Sequence, residues 1–523
     1  MASTRLIAAI MVLCATFAAA ANDEGYEVLF ETYTEPVNFC SKLGESSSLC
    51  LDGTFVLPSV AQFEMGGNAF TSVLDGFGKL HAFSFKPDTQ EVCFVSRMIG
   101  SGFYNQSVAN NKVAPGVLFM DTDPRLDYSS MDKLTGPNDN VYVNTMNVGD
   151  QWLSLTDSQY MLSFGLDDLS VRALVKWGDR LDTGKVSTGS AHALKKGDCM
   201  IDVDPQSNMD GTDAKVLVYE LCCLSCQELK RTELNSYNTS IGYVPYMHSF
   251  GLTSQFAVLP HQSFYFDYNQ VLKNGKPLVE AMVETAPGGF EVKIVPLNGD
   301  EVITMKIDQP EPFYYFHIVN SWEVTAEDGS LGVVMDLSCL SINMLPYVTL
   351  EMERTKSIRD QATFGSIVVK RYTMWVEGPR AGNWSVASLT DPQRSTDFPN
   401  LNKAYQGKPN CIFYALQWFH DYVTYADMAV MKRDTCKDQD QATGSELYWH
   451  KDNYFPSEPT FVASGPGVGE DQGVLLFTAV HGATKQSYLM LVDAATMTTI
   501  EEIPIPGVIT FTTHGEWYPR AER

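Results

Sequence analysis

The sequence reads as an all-β protein of many short strands, and three observations carry that reading. Runs such as KVLVYEL (215–221), SQFAVLP (254–260), GFEVKIVPL (289–297), GVVMDL (332–337), SIVVKRYTMWV (366–376) and GVLLFTAV (473–480) are short and rich in β-branched or aromatic residues. Gly, Pro, Asn or Asp separates one run from the next. Helical periodicity is weak throughout, which points to a sandwich, barrel or propeller. The segment Lys403–Met431 is long enough for helix, but its IFYALQWF stretch reads equally well as strand.

Met1–Ala21 has one charge, Arg5, an apolar run from Leu6 to Phe17, and the small residues Ala18–Ala21 ahead of Asn22-Asp23-Glu24. This is the layout of a secretory signal, with cleavage expected near Ala20 or Ala21. The run is too short for a bilayer span of about 20 apolar residues. Residues 22–523 show no Pro/Gly/Ser linker and no long charge run, so a single large domain is expected there.

Composition fits an exported protein. A net charge of −26 disfavours nucleic acid and anionic lipid as partners. Of 11 cysteines one, Cys14, lies in the signal, leaving an even number for disulfides. Cys222, Cys223 and Cys226 could be half of a zinc site, yet no second cysteine or histidine pair stands nearby. Sequons at Asn105, Asn238 and Asn383 fit the same oxidising, glycosylating compartment.

The chain has nine histidines, and four share one kind of setting. His317 follows the aromatic run Phe313–Phe316 and precedes Asn320, Trp322, Glu323 and the strand GVVMDL. His192, His248 and His514 also stand beside small or aromatic residues at the edges of strand-like runs. A lone histidine there is ordinarily a satisfied core residue; four of them could also hold a first-row metal ion. Their spacing is long-range and does not by itself decide. His81, His261, His420, His450 and His481 read as structural or solvated, in loops or on polar strands.

The stretches YMHSFGLT (246–253), FHIVNSWE (316–323), PSEPTFV (456–462) with GEDQGVLL after it, and FTTHGEWY (511–518) resemble the motifs of the carotenoid cleavage oxygenase family. The animal branch, with the beta-carotene oxygenases and the retinoid isomerohydrolase, is most similar. The resemblance runs from about Cys50 to Pro519. It implies a seven-bladed β-propeller with a cap of helices and loops over the metal face, and one Fe(2+) per chain held by His192, His248, His317 and His514. It further implies that carboxylates orient the ligand rings. The family uses three glutamates for this; the matching positions here are Asp157, Asp397 and Glu458, of which the two aspartates also read as ordinary turn residues. An aspartate arm is shorter by on the order of 1 Å, so its contact needs a shifted backbone or a bridging water.

There are departures from the family. A usual Gly-Pro-Gly turn is absent from GTFVLPSVAQFEMGG (53–67), while LDGFGKLHAFSF (74–85) matches well. The segment VLFMDTDPRLDYSSMDKLTGPNDN (117–140) is polar and acidic where animal relatives carry a Pro-Asp-Pro-Cys motif and a membrane-docking stretch, which argues against membrane docking. Ala193 stands where a proline usually follows the first ligand. The resemblance thus implies an iron(II) dioxygenase, and the signal layout a secreted one, that uses molecular oxygen to split a C=C bond of a carotenoid or apocarotenoid into aldehyde or ketone fragments. The alternative is a secreted, non-catalytic carotenoid- or retinoid-binding protein on the same fold. An isomerase or stilbene-type cleaver would use the same site.

Overall fold

The computed structural model describes residues 22–44, 51–126, 138–158, 160–175, 185–208, 212–223, 229–239, 244–285, 288–341, 343, 348–437 and 445–520. The signal-like segment 1–21, Cys50, Cys226 and much of the acidic stretch 117–140 lie outside them. Among the described residues the regular structure is mostly antiparallel strand, in seven sheets of four or five strands and two of three.

The sheets follow one another along the chain. The first runs in the order Val37–Lys42, Glu91–Met98, Phe77–Lys86, Gly53–Gln62, and ends on the last strand of the protein, Glu516–Pro519. That final pairing sets Val56 opposite Glu516 and Gly53 opposite Pro519, so the two ends of the chain share one sheet. The other large sheets span 144–174, 185–238, 251–307, 314–388, 395–449 and 454–505.

Apolar side chains on facing sheets weld each to its neighbours. Met146 and Leu153 pack with Met200 and Tyr219. Val203 and Val216 meet Ala257 and Leu259. Val258 and Ile294 meet Val333 and Met335, and Val369 meets Phe413 and Met431. Leu57 and Phe83 pack with Leu476 and Leu489, which joins the last sheet to the first. Strands buried on both faces explain why the runs read as near-continuous apolar stretches rather than clean alternations.

Strands at one edge of these sheets adjoin. Gly251–Leu252 contacts Tyr314–Thr325, which contacts Ser395–Asn400; Thr460–Ala463 contacts Glu516–Pro519, which contacts Asn144–Val148. IFYALQWF is strand, Ile412–Trp418, and only a short 3-10 turn, Lys403–Tyr405, represents helix in that segment. Among the described residues the α-helices are few and short: Gly102–Asn110, Tyr268–Asn274, Leu350–Arg354 and Lys356–Arg359, the third packed against the 3-10 turn Tyr26–Phe30. None among the described residues is long and apolar enough to cross a membrane.

Among the described residues three disulfides tie neighbouring strands: Cys40–Cys93, Cys199–Cys222 and Cys411–Cys436. The first two join residues directly opposite each other in register. Cys222 is therefore spent in a disulfide, which removes the zinc reading of Cys222, Cys223 and Cys226. Among the described residues Cys223 and Cys339 have no disulfide partner. His81 departs from expectation too. It lies on the fully buried part of Phe77–Lys86, 1% exposed, with Nε2 2.9 Å from Ser59 Oγ. The other outlying histidines find local partners, as His261 does with the Tyr237 hydroxyl at 2.7 Å.

Candidate metal centre

The adjoining edge strands and the loops beside them bring four histidines to one point. His192 lies in the loop leaving Lys185–Ser187, His248 just before Gly251–Leu252, and His514 just before Glu516–Pro519. His317 lies inside Tyr314–Thr325, where the register against Leu331–Leu340 slips between Tyr315 and Ile318 and again before Asn320. Such bulges re-aim side chains. His248, His317 and His514 are buried, His192 partly so.

The four rings present Nε2 to a common centre. His192 and His248 approach to 3.2 Å, His248 and His317 to 3.3 Å, and His317 and His514 to 3.1 Å, Nε2 to Nε2. All four ligand atoms lie within 4.8 Å of one another. Every expected metal-site histidine is thus in the cluster.

The expected carboxylates are also in place, on the far side of the rings. His248 Nδ1 donates to Asp157 at 2.8 Å, His317 Nδ1 to Asp397 at 2.8 Å, and His514 Nδ1 to Glu458 at 2.8 Å. Both aspartates reach directly, with no bridging water. At Asp397 the backbone supplies the missing length. Register slips between Asp397 and Asn400, and Phe398 takes a left-handed φ of 53°, uncommon for a bulky residue. Among the described residues no carboxylate reaches His192. Its loop is held instead by Ala191 N–H donating to His248 O and to Asp157, and by His192 N–H donating to Ser190 Oγ. These bonds do the ordering that a proline at Ala193 would otherwise provide.

A carboxylate at Nδ1 fixes the tautomer and leaves Nε2 as a bare lone pair. Lone pairs converging at 3.1–3.3 Å repel one another unless a cation lies among them, so the donor set fits a metal ion. Burial pushes the imidazoles of His192, His317 and His514 below their usual range, keeping them neutral and able to ligate. Burial also pushes the Glu458 carboxyl up; a divalent cation nearby opposes that shift.

Tyr246 was not singled out from sequence. Its hydroxyl donates to Asp157 Oδ2 at 2.9 Å and lies 3.4 Å from His248 Nδ1. The only signal was its place two residues before His248. Phe398 was also missed; its ring lies 4.9 Å from that of His317 and 5.2 Å from that of His514. By contrast Asn320 and Glu323 of the His317 motif are structural. Asn320 bonds the 405–410 loop, and Glu323 accepts from Thr253, Ser254 and Gln255. The centre faces a cavity of about 250 Å³ with mostly apolar walls.

Residues 49–519 match the model of the retinal pigment epithelial membrane protein (RPE65) family. The chain belongs to this family, the carotenoid cleavage oxygenases. Its members similar to this chain include carotenoid cleavage dioxygenase 8 homolog B of Oryza sativa, 22% identical over 90% of this chain and 81% of the relative. Another is the beta,beta-carotene 15,15'-dioxygenase of Rattus norvegicus, 21% identical over 90% of this chain and 87% of the relative. Cobalt-substituted apocarotenoid oxygenase of Synechocystis superposes with a TM-score of 0.76 at 19% identity, covering 95% of this chain and 98% of that one. A chimera of that oxygenase with RPE65 gives a TM-score of 0.75 at 17% identity, covering 94% and 98%.

Proposed function

We propose that the protein is an iron(II)-dependent dioxygenase that cleaves a C=C bond of a carotenoid or apocarotenoid. The single observation that carries this is the intact cluster of four Nε2 atoms, three with a carboxylate behind them, on the wall of a largely apolar cavity. Four neutral nitrogens suit a borderline first-row ion. When bound, iron(II) would supply the means to activate dioxygen against the conjugated alkene.

The chain's own residues do the rest. Asp157, Asp397 and Glu458 hold His248, His317 and His514 in orientation and offset positive charge at the centre. Tyr246 holds Asp157 in turn. Phe316 and Phe398 stand against the ligand rings, 5.2 Å from His248 and 4.9 Å from His317, where they exclude water and offer flat apolar surface to a polyene. With no charged group on the hydrocarbon to grip, cavity shape sets which bond lies beside the metal. A non-catalytic carrier has no need of four converging nitrogens, so the binding-only reading is not favoured.

The finer architecture belongs to the same proposal. Seven large sheets, each packed on the next and the last on the first, support a seven-bladed propeller formed as one domain over residues 22–523. Removal of a signal at Ala20 or Ala21, secretion and glycosylation are proposed with it. In support, Asp23, just after the signal-like run, is 6% exposed and its carboxylate pairs with Lys356 at 2.5 Å. Asn105 and Asn383 are exposed. The test is to assay purified protein for iron and to chromatograph its products from carotenoids under oxygen. Cleaved aldehydes from iron-loaded protein are the expected result.

A further inference from the structure

One part of the cavity wall does not suit a hydrocarbon. Glu353, 3% exposed, lines the cavity together with Tyr26 and Tyr425. The Tyr26 hydroxyl donates to Glu353 Oε2 at 2.8 Å and the Tyr425 hydroxyl to Oε1 at 3.1 Å. Burying a carboxyl group in an apolar wall is costly unless it is well partnered. The nearest cation does not form a fork with it. Arg359 sits 4.7 Å above the Tyr26 ring and gives Nη1 to the Glu353 backbone oxygen, while its Nε and Nη2 make no hydrogen bond.

A purely structural clamp would explain the cluster if nothing else tied the N-terminal turn to helix Leu350–Arg354. Other groups already do. Arg354 donates from Nε to Phe30 O at 2.9 Å and from Nη2 to the same oxygen at 2.5 Å, and Lys356 pairs with Asp23. From this patch a continuous path of aromatic rings leads to the metal centre. Tyr26 lies 5.6 Å from Phe30, Phe30 5.6 Å from Phe511, Phe511 6.4 Å from Phe398, and Phe398 5.2 Å from His514.

We propose that Tyr26, Glu353 and Tyr425 recognise an oxygenated end group, a hydroxyl or a carbonyl, on a polyene whose conjugated chain lies along that ring path. The proposal rests on reading the cavity as a polyene site. Each phenol oxygen that donates its hydrogen to Glu353 keeps lone pairs for a ligand hydroxyl. Burial holds the Glu353 carboxyl up at about 7; once protonated, it frees a phenol hydrogen for a ligand carbonyl.

The test uses the whole purified chain under nitrogen, so that no turnover intervenes. Three polyenes of equal length are titrated, with a hydrocarbon, an alcohol and an aldehyde end, and binding is read by quenching of tryptophan fluorescence, Trp418 being on the cavity wall. The parent should prefer an oxygenated end. Tyr26→Phe and Tyr425→Phe should each lower the ratio of oxygenated to hydrocarbon affinity by about tenfold, the worth of one hydrogen bond. A purely structural role would lower melting temperature without moving that ratio. Glu353→Gln is a third variant, and the two phenylalanine variants decide if it does not fold. Preference for the alcohol alone supports recognition of a hydroxylated ring, and for the aldehyde alone an already shortened polyene. No preference in the parent, or a ratio unchanged within twofold in both phenylalanine variants, overturns the proposal. Absence of cleavage products once oxygen is admitted would count against the dioxygenase reading and leave the affinity ratio standing.

Discussion

Asp397 reaches His317 directly, Oδ1 to Nδ1 at 2.8 Å, and the residue after it, Phe398, takes the left-handed φ of 53° that brings the shorter arm within range. The ring of Phe398 then packs on His317 and His514. The pocket has closed around aspartate.

A longer arm should therefore do harm. Asp397→Glu should push against His317 and lower bound metal, and Asp397→Asn should weaken metal binding or activity about 10–100-fold, the range for groups that orient ligands. Metal content by elemental analysis, measured beside product yield, checks both. Full metal retention in both variants would contradict the direct role.

Much of this site was legible in the sequence, for a particular reason. His192, His248, His317 and His514 lie in local motifs, and so do Asp157, Asp397 and Glu458, so a resemblance can carry each of them. The reach of the two aspartates was not legible. It depends on a bulge and on the backbone angle of Phe398, which no composition rule reports. Tyr246 was missed because a tyrosine beside a histidine is common in strands, and only the fold shows its hydroxyl on Asp157. Glu353 was missed because its partners Tyr26 and Tyr425 lie 327 and 72 residues away along the chain. Strand positions were read well where runs were apolar. Cys222 was open to a zinc reading because its partner Cys199 lies across a hairpin rather than in a nearby pair.

Glu353 should leave a mark on stability against pH. Burial raises its carboxyl from 4.5 to about 7 in the folded chain. Between those values the folded state holds a proton that the unfolded state has lost, so stability falls as pH rises through that window. Asp75, also raised to about 7, adds a slope of the same sign. The melting temperature of the parent should thus fall from about pH 5 to about pH 7.5 more steeply than that of Glu353→Gln. Equal slopes would contradict the assignment.

The Cys411–Cys436 disulfide ties the open end of the hairpin made by Ile412–Trp418 and Ala429–Asp434, the two central strands of the sheet 395–449. Replacing both cysteines by serine should cost about 2–4 kcal/mol, mainly by loosening the unfolded chain. Urea unfolding of the oxidised parent and the double variant reads this difference. Identical midpoints would mean that the disulfide is not formed in the native protein.

The central claim is a metal-dependent cleavage at the four histidines. The most direct measurement gives iron-loaded parent and His317→Ala protein the same polyene under oxygen, and follows metal content and carbonyl products together. The parent should hold about one iron per chain and give cleaved carbonyl fragments. The variant should lose both, because a four-nitrogen site has no spare ligand. Parent protein that holds both iron and polyene under oxygen, yet yields no carbonyl fragments, would contradict that claim.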